Sequence, residues 1–189
     1  MKKIAVITND LQYAAMYKDM EREGKVKNFL PYMINWLDEY RNNNALIIHL
    51  KLRGTSDDKR NAGKEQKQQF VKGTIGFELI EGVYQDGDII IDKPKDSGFF
   101  DTNLDETLKE KSIDTVVVCG MQAHICIQTT SADAYFRGYS VYVPQDLVLS
   151  DTEQYTSRAL EWIDSYCGTV TTAKRIMNKL ICDVIKEGE

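Results

Sequence analysis

Residues 119–126 read CGMQAHIC, and this turn between an apolar run and a helical pattern ends on a thiol, Cys126. An unperturbed thiol has a pKa near ~8.5, and a helix N-terminus or a nearby ammonium lowers it, so a cysteine in a first helical turn is placed for nucleophilic attack. Two other groups complete that chemistry. Asp10 follows the first apolar run in TNDLQ, and Lys93 closes a later one in IDKPK. The ammonium can support a thiolate. A carboxylate within hydrogen-bond reach can take the thiol proton and hand it to a departing amine. Backbone N–H groups before Cys126 can hold an oxyanion, a contribution of roughly 3–4 kcal/mol per donor. Taken singly, each residue has a plainer reading: a buried packing cysteine, a solvated lysine at a strand end, an aspartate capping a turn. Together they suit attack on a carbonyl.

The elements that must position these groups are visible as alternating patterns. Apolar runs at 3–8, 45–50, 88–92, 114–120 and 139–144, with a weaker one at 168–172, read as strands buried on both faces. Val26, Leu30, Met33, Ile34 and Leu37 recur at helical spacing and predict a helix over 25–42. Further helices are expected over 103–111 after Thr102, from Ala123 or His124 to about Phe136, and over 151–166 after Ser150. Strand-helix alternation of this kind predicts a single-domain three-layer α/β/α fold around a mostly parallel sheet of about six strands. Ligands gather outside the carboxyl ends of such strands, which is where Asp10, Lys93 and Cys126 all emerge. Residues 51–76 are polar, Gly-punctuated and long for a connection, and are expected to form a lid or binding loop, or else a solvated excursion.

Composition narrows the function. The chain has 189 residues, 42% hydrophobic and 28% charged, as in an ordinary globular protein. A formal charge of −5 disfavours nucleic acid or an anionic membrane as main partner. The apolar stretch Ile4–Ile7 is too short for the core of a signal peptide, and no run approaches a membrane span. A cytoplasmic setting with reduced thiols is therefore expected. Cys119, Cys126, Cys167 and Cys182 form no C-x-x-C pair, which leaves a zinc cage unsupported. A dinucleotide site would need a glycine-rich turn after the first strand, yet no glycine precedes Gly24. A phosphoacceptor signalling module is imitated by Asp10, Asp57 and Lys93-Pro94, but Asp57 stands well past the strand it should close.

Three ordered blocks carry a resemblance that covers nearly the whole chain. NDLQ at 9–12, DKPKDSGFFDTNL at 92–104 and CGMQAHICIQTTSADAYFRGYSVYVPQD at 119–146 resemble the isochorismatase-like cysteine hydrolase superfamily, which includes nicotinamidases and N-carbamoylsarcosine amidases. The resemblance implies a triad of Asp10 as base and acid, Lys93 as electrostatic support and Cys126 as nucleophile. It also implies a cis peptide between Met121 and Gln122, and an oxyanion hole from the N–H groups of Gln122 and Cys126. Gln12, Tyr13, Phe99, Phe100 and His124 are expected to shape the substrate pocket, with His124 as a wall residue because side chains two apart on a helix face different ways.

The implied reaction is hydrolysis of a small amide or ureido C–N bond through a thioester, without a cofactor and in a homo-oligomer. Metal-binding nicotinamidases carry an Asp and histidines after the second strand; here His49 lies inside that strand with no second histidine nearby, so no metal is expected and nicotinamide is disfavoured. AHI at 123–125 is similar to true isochorismatases, which cleave a vinyl ether and commonly have glycine at the position of Cys126. The retained thiol favours C–N hydrolysis over that alternative; a non-catalytic binding or scaffold role stands as a further reading, although all three triad residue types are retained.

Overall fold

The computed structural model describes residues 3–55, 59, 63–65 and 69–186, and the side chains of 182–186 lie outside that description. Asp57 and eight other residues of 51–76 therefore fall outside the described residues, as does the side chain of Cys182. Runs of β-branched and other apolar residues become seven strands: β1 (Ile4–Asn9), β2 (Leu46–Leu52), β3 (Ile89–Lys93), β4 (Thr115–Met121), β5 (Ser140–Pro144), β6 (Val148–Leu149) and β7 (Thr169–Thr171). They form one sheet in the order β3-β2-β1-β4-β5-β7, with β6 paired to β4, and every pairing between strands is parallel. Register sets Asn9 opposite Gly120 and Leu52 opposite Lys93. The ends that carry the reactive groups are thus level.

Parallel strands need crossovers, and helices supply them on both faces. Against one face pack α1 (Tyr13–Met16), α2 (Met20–Asn42) and α6 (Ala173–Lys186), whose Met16, Met33, Leu37, Ile176 and Leu180 meet Val6 and Val117. Against the other pack α3 (Leu104–Glu110), α4 (Gln128–Phe136) and α5 (Glu153–Tyr166), whose Leu108, Ala134 and Ile163 meet Ile7 and Val118. The fold is a three-layer α/β/α structure around a parallel sheet.

Helix starts depart from the sequence reading where a closer cap competes. α2 begins at Met20, ahead of the expected 25, because the Asp19 carboxylate accepts from Arg22 N at 2.8 Å. Thr152, not Ser150, caps α5, accepting from Tyr155 N at 3.2 Å. Thr102 gives α3 no box with Asp105. Its hydroxyl donates to Gly98 O at 2.5 Å and accepts from Leu104 N at 3.3 Å. His49 is a satisfied core residue: Nδ1 lies 2.7 Å from Thr8 Oγ1 and Nε2 lies 3.0 Å from Asp88 Oδ2, itself paired with Arg41. No helix among the described residues is long and apolar enough to cross a membrane.

Candidate active site

Close approach of β1 to β4 builds the floor of the site. Gly120 has φ +104°, and a Cβ there would lie 2.9 Å from Asn9 N and closer still to Asn9 O, so only glycine fits this crossing. Asp10, just past β1, takes a left-handed φ of 55°, which aspartate tolerates better than most residues, and its N–H donates to Leu50 O at 2.9 Å. Beyond Gly120 the Met121–Gln122 peptide is cis. A single wide helical turn of the π type, Ala123–Ile127, follows, with Gln122 O accepting from Ile125 N and Ile127 N, both at 3.1 Å. That turn delivers Cys126 to the carboxyl edge of the sheet, 4% exposed.

Lys93, at the end of β3, is 0% exposed. Its Nζ lies 3.1 Å from each oxygen of Asp10 and 3.3 Å from Cys126 Sγ, and it donates to the carbonyls of Asp96 at 3.1 Å and Lys95 at 3.4 Å. One buried ammonium therefore bridges the carboxylate and the sulfur. Burial is the largest influence on all three groups. It raises the Asp10 carboxyl, which Lys93 opposes; it pulls Lys93 down, but Asp10 and Cys126 outweigh it and leave the ammonium above its ordinary range. Burial, reinforced by Asp10, pushes the Cys126 thiol up against Lys93. Burial and Asp10 thus favour the thiol form of Cys126, and Lys93 opposes them. Desolvation, which the sequence argument for a lowered thiol pKa does not include, acts in the opposite direction to Lys93.

A cavity of about 200 Å³ opens over these groups, walled by Ala14, Leu52, Phe70 and Ile125 and carrying the polar groups of Asp10, Lys18, Lys64, Asp96, Gln122 and Cys126. Leu52, Lys64 and Phe70 come from the described part of 51–76. A larger cleft of about 650 Å³ opens at the opposite edge of the sheet, between Lys3, Tyr40, Asn44 and Asp86, and touches none of the three groups. Geometry outweighs size, and the smaller cavity is the candidate site. Among the described residues no three His, Cys, Asp or Glu side chains converge as metal ligands would.

The structure brings Asp10, Lys93, Met121, Gln122 and Cys126 together but places the expected pocket residues elsewhere. Gln12 is a buried clasp: its Oε1 accepts from Leu52 N at 2.7 Å, and its Nε2 donates to Phe77 O at 2.9 Å and Leu52 O at 3.2 Å. Tyr13 stacks on Tyr17, and Phe99 lies between Tyr139 and the Arg137 guanidinium. Phe100 is 56% exposed. His124 stacks on Tyr155 at 4.4 Å and meets Ser150 Oγ at 3.1 Å. None of the five lines the cavity. A residue the sequence reading passes over, Asp96, does.

Comparison with known proteins agrees with this fold. The Isochorismatase domain family matches residues 4–175. The uncharacterized isochorismatase family protein YaaI of Bacillus subtilis (strain 168) is 32% identical over 95 residues, a match spanning 50% of this chain and 52%, about half, of that protein. An isochorismatase-like hydrolase from Alkaliphilus metalliredigens superposes with TM-score 0.80 at 27% identity, covering 94% of this chain and 98% of that one. N-carbamoylsarcosine amidase from Thermoplasma acidophilum superposes with TM-score 0.76 at 26% identity, covering 90% of this chain and 96% of that one. With the family match running from β1 into α6, this chain belongs to the isochorismatase family of hydrolases.

Proposed function

We propose that this chain hydrolyses the C–N bond of a small amide or ureide through a thioester on Cys126. The observation that carries the reading is the position of Lys93 Nζ, 3.1 Å from Asp10 and 3.3 Å from Cys126 Sγ beneath a cavity of about 200 Å³. As sulfur attacks the substrate carbonyl, the thiol proton passes to Asp10 and Lys93 compensates the charge left between them. The carbonyl π pair moves to oxygen, where the N–H groups of Gln122 and Cys126 receive it. Collapse breaks the C–N bond, and nitrogen leaves with the proton from Asp10. Water then gives a proton to Asp10 and adds to the thioester; sulfur departs and recovers the proton. No cofactor enters this cycle. Similarity to an N-carbamoylsarcosine amidase supports an amide or ureido substrate, and the size of the cavity supports a small one. A cytoplasmic homo-oligomer belongs to the same reading, with sedimentation as its check.

Incubation with short primary amides and ureides should release ammonia and leave an acyl adduct on Cys126 detectable by mass spectrometry, and Cys126→Ala should lose both. Turnover that survives Cys126→Ala would refute the proposal.

A further inference from the structure

Two carboxylates flank the sulfur, and the cycle above employs only one. Asp96 Oδ1 lies 4.0 Å from Cys126 Sγ, and Asp96 lines the same cavity as Asp10 and Cys126. Its place is held from several sides. The Asp96 carbonyl accepts from Lys93 Nζ at 3.1 Å, the next residue's hydroxyl donates from Ser97 Oγ to Asp133 Oδ2, and Gly98 N donates to Thr130 Oγ1 at 3.0 Å. A Cβ on Gly98 would strike Leu50 Cδ1 and lie 3.2 Å from Leu104 Cδ2, so the backbone beyond Asp96 sits against the core with no room to shift. The carboxylate is therefore aimed from a fixed segment.

Resting on the amidase reading, we infer that Asp96 is a further catalytic residue, one that accepts an N–H of the departing nitrogen. When the tetrahedral intermediate collapses, the C–N electron pair and the Asp10 proton both go to nitrogen, which becomes ammonium-like before it leaves. A carboxylate acceptor on that nitrogen offsets the developing positive charge and turns its lone pair toward Asp10. Asp96 exchanges no proton in this scheme, so the balance of the cycle is unchanged. Its charge also opposes ionisation of the two groups beside it: after the larger effects of burial, Asp96 helps to raise both Asp10 and Cys126. That keeps the proton in circulation at the site. Among the described residues, the other charged groups facing the sulfur or lining its cavity are Lys93, Lys18 and Lys64.

An ester offers no N–H to Asp96 and its leaving oxygen carries no ammonium charge, so matched substrates isolate the contact. The test measures kcat/KM for short-chain primary amides and for the methyl esters of the same acids, in wild type and in Asp96→Asn, with Asp96→Glu as the conservative rescue. The variant should lose about 10²–10³-fold on amides and change little on esters, with part of the amide rate returning in the Glu variant. A parallel loss on both, or no loss on either, overturns the role of Asp96 while an acyl adduct on wild-type Cys126 leaves the amidase reading intact. Absence of that adduct from every amide and ester overturns both. A second measurement needs no substrate: the pH profile of Cys126 alkylation by iodoacetamide should move to lower pH in folded Asp96→Asn, since removing a negative charge beside sulfur favours the thiolate. An unmoved profile also overturns the inference.

Discussion

Replacing Lys93 by methionine removes the bridging charge with little change of volume. The side chain is wholly buried, and its ammonium is the counter-charge of Asp10. Losing one partner of a buried ion pair costs about 3–5 kcal/mol. In a chain of this size each 1 kcal/mol lowers Tm by about 2–4 °C, so the variant should melt roughly 6–20 °C below wild type at neutral pH. The dependence on pH has a definite sign. Burial already raises the folded-state pKa of Asp10, and Lys93 is its largest opponent, so in the variant that pKa rises further. A raised carboxyl contributes stability that is complete below the unfolded value of about 3.9 and is lost as pH climbs through the folded one. The gap between wild type and variant must therefore widen from acid toward neutral pH. Circular dichroism melts between about pH 4.5 and pH 8 would read it. A gap that stays constant across that range, or a neutral-pH Tm within about 2 °C of wild type, would refute the electrostatic account.

Other expectations are local. Gln12→Ala should destabilise by about 2–4 kcal/mol in urea titration, because it strands Leu52 N and two carbonyls that the side chain now satisfies. Gly120→Ala should cost more than about 2 kcal/mol and abolish turnover, since a methyl at φ +104° meets Asn9 beside Asp10. His124→Phe keeps a ring on Tyr155 and loses the bond to Ser150; it should cost about 1 kcal/mol or less and leave the chemical step nearly unchanged, whereas collapse of kcat would return His124 to the site.

The layers and the strand ends were legible because parallel strands covered on both faces read as unbroken apolar runs, and their carboxyl ends collect ligands. That logic reached Asp10, Lys93 and Cys126 before any coordinates. It missed α1 and β6, which are too short to show a period, and α6, whose Ile176, Met177 and Leu180 do recur at helical spacing and could have revealed it. Pocket walls were the least legible part. Gln12 and His124 lie near Asp10 and Cys126 in sequence, yet backbone clasping and ring stacking turn them away, which spacing does not encode. Asp96 in KPKDSG looks like solvated charge, and the contacts that hold its segment, from the Asp96 carbonyl to Lys93 and from Gly98 to Thr130 and Leu50, join residues distant in sequence. The upward push of burial on the Cys126 thiol likewise depends on depth, a quantity no linear motif carries.

β3 is an edge strand of the sheet, paired among the described residues with β2 alone, and it holds the ammonium that lies between Asp10 and Cys126. Rims of sheets open at lower free energy than their centres. Gentle warming should accordingly displace Lys93 while most of the molecule stays intact, so loss of the proposed activity should run ahead of melting.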